Sequence, residues 1–542
     1  MVPTTTRKYV FVFALVTAVG TTLFLHFWKI GSVPRGFIGD ECSIAYNAYC
    51  LAQTGADEYG TPWPMYFRGI EVYYEPADVY SVLIPIRVFG LEEWAARVPC
   101  GVYYVLACAA FYLLLRHWRV EAPLALAGAF LLSVIPWAFP TSRSCTYAGH
   151  TVALLALVTG LVLTASAVRS QSKGRAVLAG VAWALALYGH QSIQPVLALL
   201  AVGCAIVLWH RLIPRWRLLL LMLLSALIVS LPLIISILRS PGGLVARFQQ
   251  VSITHEASSP VEMLAGAARR YCGYFSPRFL FISGDGQLRH HTGHGGELYW
   301  CLAPLILAGL YVSIRQWRQS ASHRVILVGI LASPVSAALT MDQMHSTRSV
   351  YAVIFWLLLA TVGAQWCWQR RGPWRMLVLA VACAGALEIT LYMRDYFGAY
   401  QTRDSQALQT ELTDALEYCF GHLGRNDVLY ISASTFDPYG ATVNAQLKPQ
   451  LYAYVLFFGR IDPRTYQRAG IPTREVRLYD GHAPEPGLLL RSSNYYFRLN
   501  DGSGRILGVP DKAPLPAGAR LIKTFPFTGP CSFAKYEVFA LP

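Results

Sequence analysis

The chain has 542 residues, 55% hydrophobic and 14% charged, with a formal net charge of +15. An average soluble domain carries about 25% charged residues, and here the apolar residues gather into runs long enough to cross a bilayer, which excludes one soluble core. The excess of Arg and Lys falls in short breaks between those runs rather than on one polar face, which fits the positive-inside rule and excludes nucleic acid as the partner.

The first apolar run, Tyr9 to Trp28, follows Arg7-Lys8 and lacks a small-x-small cleavage site. It reads as a retained anchor rather than a removed signal. Further runs follow at Arg97–Leu115, Leu124–Phe139, Gly149–Val168, Ala176–Tyr188, Ile193–Trp209 and Leu218–Leu238. Four more lie at Leu298–Ile314, Val325–Thr340, Val350–Trp368 and Met376–Met393. The reading is about eleven transmembrane helices. The two runs meeting at Gly189-His190-Gln191 are short and could be broken or partly inserted helices.

Alternate breaks sort by charge. One set holds Arg7 and Lys8, then Arg116 and Arg119, and continues through Arg215, Arg318 and Arg375. The other contains Asp40, Arg143, His190, Asp285 and His345. This alternation predicts a cytoplasmic amino terminus and an extracytoplasmic tail. The chain then divides into a transmembrane module, 1–393, and an extracytoplasmic mixed α/β domain, 394–542. Within the module, 31–96 and 239–297 are large extracytoplasmic loops. In the tail, Asp404–His422 has helical periodicity, Val428–Ser432 reads as a strand, and Gln450–Phe458 as a helix or buried strand. Cys419 and Cys531 could pair in an oxidising compartment.

Asp40-Glu41 lies shortly after the first run. A carboxylate there can take a proton from an attacking hydroxyl, or it can cap a helix starting near Ser43. The rest of that loop is rich in aromatics and charge, including Tyr59, Trp63, Arg68, Glu71, Tyr74 and Glu75. The pattern suits a membrane-surface segment and equally a platform for stacking sugar rings. Arg348 in Met341-Asp342-Gln343-Met344-His345-Ser346-Thr347-Arg348 breaks the charge rule. Its planar fork of donors suits phosphate, with His345 beside it, or it reaches to lipid headgroups. Arg143 and Arg289 are further candidate cations, and His190 lies at the short-run junction. His290 and His294 would share a face if helical, but Gly293, Gly295 and Gly296 argue for a loop. No metal ligand set is therefore assigned and no cofactor is expected, although a divalent metal is possible. There is no Walker loop, GxSxG elbow or dinucleotide fingerprint, so a nucleotide-sugar donor is disfavoured.

Taken in order, Gly39-Asp40-Glu41, Phe89-Gly90 with Ala96-Arg97-Val98-Pro99, Ser142-Arg143, and Tyr274–Phe281 with Gly284-Asp285 form a set. Leu339-Thr340 with Asp342, His345 and Arg348 completes it. This set resembles the GT-C fold glycosyltransferases that use polyprenyl-phosphate sugars, the group related to protein O-mannosyltransferases and the lipid A aminoarabinose transferase. The resemblance covers most of 1–393. It implies an inverting transfer of a sugar from a polyprenyl-phosphate donor to a glycolipid, polysaccharide or protein acceptor on the outer face of a bacterial inner (plasma) membrane. It implies that Asp40 is the catalytic carboxylate, supported by Glu41, and that outer-loop cations hold the lipid phosphate: Arg348, His345, Arg143 and Arg289. Arg68, Tyr74, Glu75, Asp285 and His190 are possible substrate contacts. One departure stands out: where many relatives carry Lys or His late in the first loop, this chain reads Tyr74-Glu75-Pro76. A transporter or flippase of lipid-linked sugars, and a catalytically degenerate binding protein, are the alternatives.

Overall fold

The computed structural model describes residues 4–70, 72–239, 252–255, 259–342, 344–370, 372–403, 405–424, 427–432, 451–470, 476–479, 481, 483–498, 506–510, 514–529, 532 and 534–542. Glu71, Gln343 and Cys531 lie outside them, and with Cys531 the proposed Cys419–Cys531 pairing.

The chain forms two compact units. The first comprises Met1–Ile30, Glu75–Ser81 and Arg97–Arg394. Its helices begin with α1 (Thr4–Phe27), part of α3 (Pro76–Phe89), most of α4 (Glu93–His117) and α5 (Ala122–Val134). They continue with α6 (Ala148–Ser170), α7 (Lys173–Leu187), α8 (Ile193–Leu212) and α9 (Trp216–Arg239). Later helices span Pro260–Gly273, Ala303–Arg315, Ala321–Ala332, Ala352–Gln369 and Pro373–Tyr396.

Among the described residues, seven helical stretches are long and apolar enough to cross a membrane, and one of them, Ile193–Arg239, joins α8 and α9. Ala122–Val134 and Trp300–Arg315 are shorter apolar helices. Large apolar side chains such as Phe13, Leu113, Ile206 and Ile228 point outward on these helices. That is stable where the surroundings are hydrocarbon. The chain is a multi-pass membrane protein.

Small residues set the helix contacts. At the crossing of Ala303–Arg315 with Ala352–Gln369, a Cβ on Gly309 would lie 2.0 Å from the Leu359 carbonyl oxygen, and one on Gly363 1.9 Å from that of Leu305. Only glycine permits the two backbones to approach so closely, as in small-residue packing of membrane helices.

α1 is held by polar contacts instead. Thr22 Oγ1 donates to Ser133 Oγ at 3.1 Å, and the His26 ring pairs with Ser142 Oγ at 2.7 Å and the Ser133 carbonyl at 3.0 Å. Arg143, fully buried, donates to the Leu25 and Trp28 carbonyls at 2.5 and 2.8 Å. Those carbonyls belong to the helix end, where no intrahelical partner remains and negative partial charge collects.

The second unit comprises Gly31–Tyr74, Val82–Ala96 and Asp395–Pro542. It contains α2 (Gly39–Thr54) and an antiparallel ribbon of β1 (Phe67–Gly69) and β2 (Val72–Tyr74). Its sheet has five strands in the order β4-β3-β5-β9-β8, from β3 (Val428–Ser432), β4 (Val476–Tyr479), β5 (Gly487–Ser492), β8 (Arg520–Pro526) and β9 (Lys535–Leu541). β6 (Asn494–Arg498) and β7 (Ile506–Pro510) form a separate antiparallel pair. β3 runs parallel to β4 and β5, while β5, β9 and β8 are antiparallel. The apolar run of β3 is buried throughout, as a strand covered on both faces must be. β8 is an exposed edge carrying Arg520 and Lys523, charges that discourage further strand pairing.

The periodicity over Asp404–His422 yields Ser405–Leu408 and Thr410–His422, interrupted where Gln409 takes a left-handed conformation with φ 55°. The ambiguous segment before Phe458 is helical, Leu451–Phe458, and packs against α2.

Candidate functional site

The first candidate cluster lies in the second unit. α2 begins at Gly39, so Asp40 and Glu41 occupy its first turn. Ile38 precedes the helix and has no capping side chain, and Glu41 accepts the Ile38 N–H at 3.4 Å. Glu41 is buried and serves the helix start; Asp40 is half-buried and does not cap it. Acids in this turn are favoured by the helix dipole. Asp40 Oδ1 instead accepts the Tyr74 hydroxyl at 3.0 Å. The β1–β2 register, with Phe67 opposite Tyr74, fixes the strand that presents this phenol. Burial first, and then the nearby Asp40 charge, push the Tyr74 phenol well above its usual range. Tyr74 therefore stays a donor toward Asp40.

Glu58, deeply buried, is a second acid in this unit. Its Oε1 accepts the Tyr452 hydroxyl at 2.9 Å, and that same hydroxyl accepts the Ile70 N–H at 2.9 Å. Burial pushes the Glu58 carboxyl up to about 8, despite the hydrogen bond from Tyr452. Arg68 is exposed and stacks over the Tyr59 ring at 5.2 Å.

The second cluster is in the first unit, around the start of α3. Glu75 Oε1 accepts the Gln191 N–H at 2.9 Å. Asp78 Oδ1 accepts the Gly149 N–H at 2.6 Å. A Cβ on Gly149 would lie 2.8 Å from that carboxylate and 3.0 Å from the His190 nitrogen, so glycine is what admits the approach. Burial, then the charge of Glu75, push the Asp78 carboxyl well above its usual range. His190 stacks on His150 with ring centroids 3.9 Å apart and pairs with Ser192 Oγ at 2.8 Å.

The third cluster, in the same unit, joins two loops. Asp285 Oδ2 accepts the Ser346 N–H at 2.7 Å and lies 2.8 Å from His290 Nδ1. The His290 and His345 rings stack with centroids 4.7 Å apart. Trp137 Nε1 donates to the Ser346 carbonyl at 3.0 Å and Tyr274 Oη accepts the His345 N–H at 3.0 Å, pinning this loop. Burial alone would raise the Asp285 carboxyl, but the charge and hydrogen bond of His290, then His345, outweigh it and hold it below the usual range. Burial, followed by the charges of His290 and Arg348, keeps His345 well below its usual value. Burial pushes His291 down to about 4 and, with the Asp285 charge, pushes Glu297 well up. Arg348 Nη1 pairs with Asp342 at 2.5 Å. Arg289, half-buried, directly precedes His290. Arg143 spends its two described donor contacts on the end of α1.

Of the residues singled out in the sequence, Asp40 with Tyr74, and Asp285 with His345, are brought together. Glu75 and His190 belong to one neighbourhood through Gln191 and Gly149. His290 groups with Asp285 and His345 rather than with the exposed His294. Glu58, Asp78 and Glu297 do not stand out in the sequence. An acid in an otherwise aromatic or apolar stretch, as in Tyr74–Ser81, is the signal that could have found them.

No family model matches the sequence, and no curated protein matches it. Solved structures do. ArnT from Cupriavidus metallidurans bound to undecaprenyl phosphate is 14% identical, with a TM-score of 0.54 over 97% of this chain and 97% of that one. The chain has the GT-C fold. The apo form of the same ArnT gives a TM-score of 0.52 at 14% identity, covering 99% of this chain and 98% of ArnT. AglB, the oligosaccharyltransferase of Archaeoglobus fulgidus, in complex with an inhibitory peptide and a dolichol-phosphate, is 12% identical with a TM-score of 0.48 over 94% of this chain and 75% of AglB. The GT-C expectation and the tail domain with its sheet are thus both met in the fold.

Proposed function

We propose that this protein is a membrane glycosyltransferase that moves a sugar from a polyprenyl-phosphate donor to an envelope acceptor. What carries the reading is the likeness over nearly the whole chain to ArnT bound to undecaprenyl phosphate. The membrane assigned to it is a bacterial inner membrane, and the charge alternation supports a cytoplasmic amino terminus and an extracytoplasmic (periplasmic) tail.

In this reading Asp40, oriented by Tyr74, accepts the proton of an acceptor hydroxyl or amine. The acceptor attacks the anomeric carbon opposite the phosphate, that carbon's bond to the phosphate oxygen breaks, and configuration inverts through an oxocarbenium-like state. The departing lipid phosphate needs positive charge more than a proton. Arg348 and Arg289 are the groups assigned to supply it, with Arg143, tied to α1, as a further charge. His345, kept neutral by burial and the neighbouring charges, is assigned a hydrogen bond to the phosphate rather than a charge. Glu41 holds the helix that carries Asp40. Arg68, Tyr74, Glu75, Asp285 and His190 are assigned to substrate contacts. A glycolipid, a polysaccharide or a protein would serve as acceptor.

The test is transfer from a synthetic polyprenyl-phosphate sugar in proteoliposomes, with mass spectrometry of a deletion strain's envelope to identify the acceptor. Asp40→Asn should abolish transfer while leaving expression and melting unchanged. Wild-type turnover in that variant would remove Asp40 from the reaction.

A further inference from the structure

We propose that Asp285, His290 and His345 form a binding site for a divalent transition metal. This inference does not rest on the glycosyl-transfer reading. One donor atom from each residue lies within 4.8 Å of the other two. In a triangle of that size no donor is more than about 2.8 Å from the centre, against about 2.0–2.2 Å for bonds from zinc to His nitrogen or carboxylate oxygen. Side-chain shifts of under about 1 Å would close the gap.

Three features distinguish this cluster from a chance gathering. First, the donors are buried or nearly so: Asp285 is 3% exposed and His290 2%. Second, outer contacts already orient them. His345 Nδ1 pairs with Thr347 Oγ1 at 3.0 Å, which leaves Nε2 as its coordinating atom. Asp285 is held by the Ser346 N–H at 2.7 Å and the Gln287 N–H at 2.8 Å, and Ser346 Oγ reaches His290 Nδ1 at 2.9 Å. Hydrogen bonds of this kind to metal-bound His and carboxylate groups fix ring orientation and tune affinity. Third, the ligands come from two loops 55 residues apart in sequence (His290 and His345), so a bound ion would cross-link them. The donor set is two imidazoles and one carboxylate. That composition suits Zn²⁺, Co²⁺ or Fe²⁺ with coordination positions left for water or an anionic oxygen. It is too nitrogen-rich for Ca²⁺ or Mg²⁺, which prefer oxygen ligands.

The experiment uses the full-length chain in detergent, stripped with chelator and titrated with Zn²⁺ and with Co²⁺. One tightly bound ion per chain is expected by elemental analysis. The Co²⁺ form should show d–d absorption of a low-coordinate site, and X-ray absorption should show imidazole nitrogen in its shell. His345→Gln and His290→Gln should each weaken binding at least about 100-fold, more than loss of an outer contact would. His294→Gln should bind as the wild type does. The absorption measurements need no variant, so misfolding of a His variant leaves the proposal open to refutation. Absence of stoichiometric binding, Mg²⁺ or Ca²⁺ displacing Zn²⁺ at equal concentration, or unchanged affinity in folded His345→Gln would each overturn it.

Discussion

The Tyr74 hydroxyl donates to Asp40 Oδ1 across 3.0 Å, tying the β1–β2 ribbon to the first turn of α2. This single contact aims the carboxylate that the proposed reaction needs. Tyr74→Phe keeps the ring and removes only the donor. Transfer turnover should fall about tenfold, equivalent to about 1.4 kcal/mol in the barrier. The KM for the lipid donor should stay near the wild-type value. A Phe variant with undiminished turnover would show that Tyr74 does not position Asp40.

Glu58 gives a pH prediction. Its carboxyl rises from 4.5 to about 8 in the folded chain. The folded state therefore holds a proton that the unfolded state releases between those values. The resulting stability is fully present below about 4.5 and is lost as pH rises through about 8. His291, lowered to about 4, works in the opposite direction, losing stability as pH falls below its usual 6.5. Comparing wild type with Glu58→Gln cancels the His291 contribution. The melting temperature of wild type relative to Glu58→Gln should drop between about pH 5 and pH 9. Parallel melting curves across that range would contradict the burial assigned to Glu58.

Arg348 is paired with Asp342, whose side chain is 41% exposed. If Arg348 meets the lipid phosphate, Asp342 competes for it. Asp342→Asn should then lower the donor KM severalfold, and Arg348→Lys should raise it despite keeping the charge, because Lys cannot offer two parallel donors. Opposite shifts from the two variants are the expected signature; a shift of the same sign in both would exclude the competition.

Gly363 packs against the Leu305 carbonyl. Gly363→Ala gains helix propensity but places a methyl where backbone already is, and the steric cost should dominate. A net loss of about 1–3 kcal/mol is expected from overpacking of this kind. Thermal unfolding in detergent, followed by tryptophan fluorescence, would register it. At Gly174 in α7, where an added methyl would meet nothing within 4 Å, the same change should be neutral to slightly stabilising, by at most about 1 kcal/mol.

The membrane helices were legible because hydrocarbon demands apolar side chains all round a helix, a signal that neighbouring contacts do not obscure. β3 was legible for a similar reason: Val428–Ser432 is apolar and short. Contacts made across long stretches of sequence were not. Asp285 and His345 each stood out, but nothing local places them 60 residues apart in sequence and side by side in space. Asp78 did not stand out in the sequence; its approach to Gly149 depends on the absence of a side chain on another helix. Arg143 broke the charge rule and suggested a phosphate ligand; in the structure it also donates to carbonyls at the end of α1. A cation outside the set of basic breaks can answer a helix dipole as well as a ligand, and sequence does not separate the two.

The polar attachments of α1 bear on how the chain is made. Its most apolar window is only 11% buried, and its described polar partners, Ser133, Ser142 and Arg143, are synthesised more than a hundred residues later. During translation α1 must therefore enter the bilayer as a nearly solitary helix with its terminal carbonyls unanswered. It acquires its described polar partners only when α5 and the segment after it have been delivered. Nascent chains halted before residue 133 should leave α1 free to move laterally or to be extracted by quality-control proteases, and chains halted beyond residue 143 should not.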